Sequence, residues 1–164
     1  MNRTAAAFKL KTASEIDIKA EAVVNENKEL ERKIEQFSGK MAALRTKNIM
    51  AGVRHLGKVN VLTAQLDSVG ANELKALADN AKTQMESGVV VLASNEGGKI
   101  TFIAMAMPEA VELGVHCGNI IREVTAICGG KGGGKPDMAQ GGGTDAMKVD
   151  DALARIDEII NKIK

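Results

Sequence analysis

Aromatic residues are almost absent from this sequence of 164 residues, which contains three phenylalanines but no tyrosine and no tryptophan. Proteins that bind single-stranded nucleic acid by stacking its bases need exposed aromatic rings, so the composition disfavours that class. An excess of one charge is also missing, because 22 basic residues oppose 21 acidic ones. A broadly basic surface is therefore excluded, and any contact with nucleic acid must come from a local patch.

Residues suited to catalysis or metal binding are scarce as well. The two cysteines, Cys117 and Cys128, lack the spacing of a zinc site, and His116 beside them leaves the ligand set incomplete. No serine, histidine and acidic residue form a recognisable catalytic triad. We therefore expect no metal, no cofactor, no small-molecule substrate and no catalytic residue in this chain.

Long apolar runs are missing too. No window approaches the ~18 residues of a membrane helix, and the N-terminal residues have no apolar core of signal-peptide length. We expect a cytoplasmic protein without a membrane partner. The chain begins in residues typical of a helix, so we also expect it to be a piece of a longer protein.

Residues 13–47 predict one long helix, since they include a single glycine, Gly39, and no proline. Their apolar residues repeat every seven positions, which is typical of a coiled coil. We call the two repeating positions the heptad stripe. One position holds Ala13, Ala20, Asn27, Ile34 and Met41, and the other holds Ile16, Val23, Leu30, Phe37 and Leu44.

The heptad stripe predicts that residues 1–49 form a helical arm that makes a homodimer. The residues assigned to this contact are Ile16, Val23, Asn27, Leu30, Ile34, Phe37, Met41 and Leu44. Asn27 is the single polar member of the stripe, and a buried asparagine at such a position fixes register and strand number. The same stripe is also compatible with packing on the rest of the chain, or with a helix folded back on itself.

After residue 50 the pattern becomes that of a small globular domain. Strands are predicted at residues 59–66, 89–94 and 99–107, the last two joined by a tight glycine turn. Three helices are predicted. The first is capped by Asn72 and stopped by Gly88, the second runs from about 116 to 128, and the third runs from 150 to 163. The fold class is therefore α+β: a long helical or coiled-coil arm, then a domain at residues 50–164 with a short mixed sheet, helices packed on it and a glycine-rich loop.

Residues 129–143 hold eight glycines, and we interpret them as a loop between helices. Such a loop is a flexible linker, a backbone surface that meets an anion, or a segment that packs on the sheet. The ordered helix patterns on both sides argue against a linker. The other two interpretations stay open. If the segment is a backbone surface that meets an anion, it would bring Lys131 and Lys135 to a phosphate backbone.

A nucleotide-binding P-loop is only partly matched. Gly129, Gly134 and Lys135 satisfy its glycine and lysine positions, but Pro136 stands where the magnesium-binding serine or threonine belongs. The residues that precede the segment also predict a helix rather than the strand that a P-loop follows. Nucleotide hydrolysis is therefore disfavoured.

The sequence resembles the C-terminal part of alanyl-tRNA synthetases over essentially its whole length, although the long helical segment matches by pattern only. The similar strings are HCGNII at the start of a helix and GGKGGGKPDMAQGGG after it, followed by a closing helix rich in alanine and isoleucine. The resemblance implies a DHH-associated domain without the aminoacylation and editing centres. It further implies a module that binds the outer corner of an alanine-specific tRNA, so that both centres act on one tRNA, and a helical arm that mediates dimerisation.

The candidate RNA contacts surround the glycine-rich segment. They are Lys131, Lys135, Arg122, His116, Asn119, Gly132, Gly133 and Gly134. The family often has glycine and arginine where this chain has Lys131 and Lys135, and lysine lacks the planar, two-donor head of arginine. Cys117 stands where alanine is common in the family. For Arg122, a salt bridge with a neighbouring acid is the alternative to an RNA contact.

Two other functions stay open at this point. One is an oligomerisation module in which the glycine-rich segment is only structural. The other is a phosphoesterase built on the shared fold, which would lack the metal-binding domain that such enzymes carry.

Overall fold

The computed structural model describes residues 14–162, with side chains from residue 18 onward apart from Ala42. Helix α1 runs without interruption over Ser14–Met50, which confirms the predicted long helix and excludes a helix folded back on itself. Ala13 and the side chain of Ile16, both in the heptad stripe, lie outside the described residues. Contacts divide the chain after Ala43 into two compact units, and the boundary after residue 49 stays a prediction.

Six strands form one mixed sheet in the second unit. They are β1 (Val53–Leu56), β2 (Val59–Asp67), β3 (Val89–Glu96), β4 (Lys99–Ala106), β5 (Lys131–Gly134) and β6 (Met138–Gly143). Their order across the sheet is β1-β2-β3-β4-β6-β5. Strands β2 and β3 are parallel, and every other neighbouring pair is antiparallel. The predicted α+β class with a mixed sheet is confirmed.

Helices cover both faces of this sheet. They are α2 (Ala71–Gln84), α3 (Pro108–Glu112), α4 (Cys117–Ile127) and α5 (Val149–Asn161), with a 3-10 turn at Ala146–Lys148. Helices α4 and α5 share one core with the strand residues Val61, Val91, Phe102 and Ala104. Because side chains alternate along a strand, the buried Leu62, Val90, Leu92 and Ile103 face the other side, where α2 contacts β3 and β4.

None of the helices within residues 14–162 is both long enough and apolar enough to span a bilayer.

The hairpin of β3 and β4 agrees with the sequence pattern. Glu96 pairs with Lys99, so Gly97 and Gly98 alone form the turn, with φ angles of 60° and 87°. Positive φ at both positions is what a tight type I′ turn requires, and glycine adopts it without steric cost.

The predicted ends of α2 are wrong on both sides. The helix begins at Ala71 after Gly70, so Asn72 lies in the first turn and does not cap it. The helix ends at Gln84, before Gly88. Gly88 instead has a φ of 130°, and a side chain there would collide with the backbone carbonyl of Asn60. This glycine therefore permits the close approach of two chain segments at the start of β3.

The glycine-rich segment is two strands, and its interpretation as a loop is wrong. Strands β5 and β6 pair as an antiparallel hairpin, and β6 adds to the edge of β4. The N–H of Lys135 donates to the carbonyl of Met138 at 2.8 Å, leaving Pro136 and Asp137 at the turn. Glycine is disfavoured in strands because it has no side chain to pack. Close packing against α4, which the sequence pattern does not show, makes glycine suitable here.

Candidate nucleic-acid interface

The start of α4 is fixed by local interactions. Gly114, with a φ of 103°, follows α3, and the N–H of Val115 donates to the carbonyl of Ala110 at 2.9 Å. His116 is the N-cap of α4, because its Nδ1 accepts the N–H of Asn119 at 3.3 Å. That bond requires an unprotonated Nδ1, so the neutral ring carries its proton on Nε2.

The turn of the β5–β6 hairpin also caps α4. The N–H of Cys117 donates to the carbonyl of Pro136 at 2.9 Å, and the N–H of Gly118 donates to that of Lys135 at 3.2 Å. The next two amides of α4 are bound by His116. The amides of Cys117, Gly118 and Asn119, which have no i→i−4 partner at the start of a helix, are thus all satisfied within the chain. The start of α4 is therefore not an anion site, and an anion contact must come from the hairpin and the side chains around it.

One face of the hairpin packs on α4 through glycine. A Cβ on Gly132 would lie 2.5 Å from Cγ2 of Ile121, and one on Gly141 would lie 2.7 Å from Cγ2 of Thr125. A Cβ on Gly143 would lie 2.6 Å from the Cβ of Cys128. Side chains at these positions would push the helix away from the strands. The glycines on this face therefore have a packing role, but the segment is part of the sheet and packs on α4 rather than on the sheet as expected.

The other face of the hairpin is open. Lys131 pairs with Gly142, and Gly133 pairs with Gln140, so these residues alternate with the ones that touch α4. A shallow depression of about 330 Å³ lies at the turn end of the hairpin, between Lys135, Met138 and Gln140 among others. Its glycine backbone carries no side chains, so a ligand has direct access to the peptide groups.

Three exposed cations surround the hairpin: Lys131, Lys135 and Arg122. Nη1 of Arg122 donates to Oδ1 of Asn119 at 3.1 Å, and its Nε lies 3.8 Å from the Cβ position of Gly133. Within the described part of the chain, none of the three cations forms an ion pair. Their charges thus remain available to an anion, with Asp137 as the acidic residue at the turn.

The alternative interpretation of Arg122, a salt bridge with a neighbouring acid, is not what the structure shows. The adjacent acid, Glu123, lies with its Oε2 at 3.6 Å from Nε of Arg155, a residue of α5. Arg122 is held instead by the neutral amide of Asn119.

His116 and Asn119 open into a different depression from the one at the hairpin turn. This second depression has a volume of about 210 Å³ and is lined by Gly114, Glu123, Ile159 and Lys162 as well. The structure therefore brings Lys135, Gly133 and Gly134 together at one concavity and His116 with Asn119 at another. Arg122 links the two groups through its hydrogen bond to Asn119.

The hairpin depression also contains residues that are not among the candidates predicted from the sequence, including Met138 and Gln140. The signal that identifies them is the alternation in Met138–Gly143, where Ala139, Gly141 and Gly143 are the small members of one face. That alternation becomes informative only when the segment is known to be a strand.

The cysteines are buried thiols with no partner suited to metal binding. Burial, reinforced by the negative charge of Asp137, raises the pKa of Cys117 from 9.0 to about 12. Burial also raises the pKa of Cys128. Within residues 14–162 no three His, Cys, Asp or Glu side chains are grouped to hold a metal ion. Neutral, buried thiols are poor nucleophiles and poor ligands, so both cysteines act here as small apolar core residues.

The heptad stripe is exposed in the single chain. Ile34 is 64% exposed, Phe37 65% and Leu30 49%, and Met41 and Leu44 are similarly open. Val23 is half-buried and Asn27 is exposed. A row of large apolar side chains facing solvent on one helix is typical of a surface that is covered by a partner.

Residues 58–162 match the DHHA1 domain family. The alanine-tRNA ligase of Geobacillus kaustophilus is 37% identical over 159 residues, which make up 96% of this chain and 18% of that protein. The crystal structure of the C-Ala domain from Aquifex aeolicus alanyl-tRNA synthetase is 32% identical with a TM-score of 0.62, covering 66% of this chain and 97% of that one. A DHH-domain member of the s1p family of ribosomal proteins shares the fold alone. It is 12% identical with a TM-score of 0.54, and the match covers 84% of this chain and 33% of that one.

These similarities define a DHHA1 domain protein. More narrowly, the chain belongs to the branch of that family formed by the C-Ala domains of alanyl-tRNA synthetases. It spans 18% of the length of the Geobacillus relative.

Proposed function

We propose that this chain is the tRNA-binding and dimerising C-terminal module of a cytoplasmic alanyl-tRNA synthetase. The module binds the outer corner of the alanine-specific tRNA, and it supports alanylation and editing without a catalytic group of its own. The similarity to the C-Ala domain and to whole alanine-tRNA ligases supports this assignment.

The observation that carries the RNA half is the set of unpaired cations around a bare glycine hairpin. Lys131, Lys135 and Arg122 have no acidic partner within the described residues, and the hairpin beside them presents backbone rather than side chains. Phosphate groups bind lysine, arginine and backbone amides. A folded RNA corner is recognised by shape and by its backbone, which agrees with the near absence of aromatic residues.

Titration of labelled alanine-specific tRNA at several salt concentrations tests this proposal. We expect saturable binding that weakens linearly in log–log form as salt rises, because each phosphate contact releases counterions. The double variant Lys131→Ala with Lys135→Ala should bind about tenfold more weakly at ~0.1 M salt and show a salt slope smaller by about 1.5.

The matched control is the double variant Lys58→Ala with Lys75→Ala. It removes the same charge, but Lys58 lies at the β1–β2 turn, at the opposite edge of the sheet from β5, and Lys75 lies on α2. Its binding should stay within about twofold of the unsubstituted chain. Equal losses in the two double variants, or no saturable binding by the unsubstituted chain at high micromolar protein, would contradict the proposed site.

The dimerising half rests on the exposed heptad stripe. Large apolar residues at 49% to 65% exposure gain free energy when a second stripe covers them. Sedimentation equilibrium should give a dimer for the unsubstituted chain and a monomer for Leu30→Glu, since a carboxylate cannot be buried there without a partner. An Asn27→Asp variant should weaken the dimer for the same reason.

The second candidate is an oligomerisation module that does not bind RNA. The packing of Gly132, Gly141 and Gly143 against α4 favours it, because this contact explains part of the glycine content by structure alone. The Leu30→Glu variant separates the two candidates. A monomer that retains tRNA binding shows two independent functions, whereas a dimerising chain that never binds tRNA leaves only the oligomerisation module.

A further inference from the structure

The heptad stripe of α1 can meet a second copy in two orientations, and its flanking charges distinguish them. One flank consists of the residues that directly precede Ala20, Asn27, Ile34 and Met41, and the other of those that directly follow Val23, Leu30, Phe37 and Leu44. In a parallel pair, each residue of the first flank faces the residue five positions later in the partner, which belongs to the second flank. In an antiparallel pair, equivalent flanking positions face each other. The residues concerned are Lys19, Glu26, Lys33 and Lys40 on one flank and Val24, Glu31, Ser38 and Arg45 on the other.

A parallel, in-register pair is opposed by these charges. Glu26 would face the partner's Glu31, twice by symmetry. Lys40 would face the partner's Arg45, but Arg45 is paired with Glu73 of its own chain, so we do not count that pair as a repulsion. Lys33 would face the partner's Ser38, so among residues 18–45, whose side chains the structure describes apart from Ala42, no attractive pair compensates. Like charges at these positions select against an orientation.

An antiparallel pair places Glu26 opposite the partner's Lys33, again twice. Glu26 has no basic residue three or four positions away in its own helix, where Ala22, Val23, Glu29 and Leu30 lie. No ion pair within the described residues occupies Glu26 or Lys33. These two attractions balance the two Lys19–Lys40 repulsions of the same alignment, so its net charge energy is close to neutral.

The sizes of the stripe residues favour the same alignment. In the antiparallel pair Ala20 faces the partner's Phe37, and Val23 faces the partner's Ile34, so both of these layers join a smaller residue to a larger one. The parallel pair instead stacks Ala20 on itself and Phe37 on itself, which leaves one layer underfilled and another overfilled. Both errors cost stability in a packed interface.

Asn27 is compatible with this arrangement. Each Asn27 faces the partner's Leu30 in the two central layers of the antiparallel pair. These layers are adjacent, which brings the two asparagine side chains next to each other across the symmetry axis. Polar contact between them would satisfy the two side-chain amides in this register.

We propose that α1 pairs with α1 of a second copy as an antiparallel coiled coil centred between Lys28 and Glu29. This inference rests on the proposed dimerisation and specifies its geometry. The partner is a second copy because, when one copy is reversed, the stripe is complementary to itself in size and its flanking charges do not oppose the contact. The ends of the two helices that continue into β1 then lie at opposite ends of the paired segment.

Charge reversal at Glu26 gives opposite results for the two orientations. In the antiparallel pair, Glu26→Lys replaces two attractions by two repulsions, and we expect the dimer to dissociate about tenfold more readily at low salt. In a parallel pair the same change would remove two Glu26–Glu31 repulsions and strengthen the dimer. The measurement is sedimentation equilibrium of the full chain at low salt and at about 0.5 M salt, where the effect should shrink.

Two matched variants complete the test. Glu26→Lys combined with Lys33→Glu restores the attraction in the antiparallel pair, so the dissociation constant should return to within about twofold of the original. Glu31→Lys should leave the antiparallel dimer nearly unchanged, because Glu31 there faces the partner's Val24. Tighter dimers with both Glu26→Lys and Glu31→Lys would overturn the antiparallel alignment while leaving dimerisation intact.

Distance measurement supplies an independent readout. A spin label on Ala43→Cys would lie about 44 Å from its copy in the antiparallel pair, because Ala43 faces the partner's Ser14 and each residue rises 1.5 Å. The parallel pair would bring the two labels within about 20 Å. The unsubstituted chain, whose two thiols are buried, is the labelling control. A short distance overturns the alignment, and a monomeric unsubstituted chain overturns both the alignment and the proposed dimerisation.

Discussion

Hairpins β3–β4 and β5–β6 of the sheet, which both contain glycine, are held in place by different means. Hairpin β3–β4 uses glycine only at its turn and fills the core with large side chains such as Leu92, Phe102 and Ile103. Hairpin β5–β6 uses glycine along its strands and contacts α4 through its backbone. The difference shows that one sheet can be stabilised by side-chain volume in its centre and by the absence of side chains at its edge.

This contrast has a functional consequence. The edge hairpin is bonded to β4 on one side, and its turn carbonyls cap α4, so a segment with little apolar side-chain volume is still fixed. Its outer face is left to backbone, Lys131 and Lys135. A charged backbone surface that is hydrogen-bonded to its neighbours in this way loses little conformational entropy when it binds a polyanion.

The largest expected effect tests the side-chain hairpin. Phe102 is fully buried and pairs across the strands with Gly141 of the edge hairpin. Phe102→Ala should lower the free energy of unfolding by about 4 kcal/mol, because it removes an aromatic ring and leaves a cavity beside a residue without a side chain. Phe102→Leu should cost about 1–2 kcal/mol. Denaturant unfolding measures both, and equal costs would show that the cavity does not determine the loss.

The next effect tests the glycine hairpin. Gly132→Ala should lower the free energy of unfolding by about 3 kcal/mol, because the new methyl group meets Ile121 and the Cα of Gly141. Gly133→Ala is the matched control on the open face, where the methyl group lies 3.8 Å from Nε of Arg122. It should be neutral or stabilising by about 0.5 kcal/mol, since alanine restricts the unfolded chain. Similar losses at both positions would refute the assignment of the two faces.

Much of the side-chain hairpin was predictable from the sequence, and the backbone hairpin was not. Apolar runs on either side of Gly97-Gly98 predict two strands and their turn, because the buried side chains are the signal. At residues 131–143 the residues that make the contact have no side chains, so the same physics leaves no apolar pattern. The cations Lys131, Lys135 and Arg122 could be proposed from charge and resemblance, whereas Gln140 and Met138 required the strand alternation.

Alkaline pH tests the packing of α4 against the hairpin turn. Burial and the charge of Asp137 raise the pKa of Cys117 from 9.0 to about 12. Above pH 9 the unfolded thiol ionises while the folded one stays neutral, so the stability that it contributes is lost as pH rises from 9 toward 12. At pH 10 the loss should be ~1.4 kcal/mol. Between pH 8 and pH 10, the free energy of unfolding of Cys117→Ala should fall by ~1.4 kcal/mol less than that of the unsubstituted chain. Equal falls in the two proteins would contradict the prediction.

The smallest expected effect separates the two groups that cap α4. His116 binds the amide of Asn119, whereas the hairpin turn binds those of Cys117 and Gly118. His116→Ala should lower the free energy of unfolding by about 1 kcal/mol, and His116→Asn should restore most of it, because asparagine is a good N-cap. Hydrogen exchange gives the finer readout. If the hairpin backbone holds the helix start independently, exchange should accelerate at Asn119 in His116→Ala and remain slow at Cys117 and Gly118. Acceleration at all three amides would mean that the glycine hairpin depends on a side-chain cap, and the contrast between the two hairpins would then end at this turn.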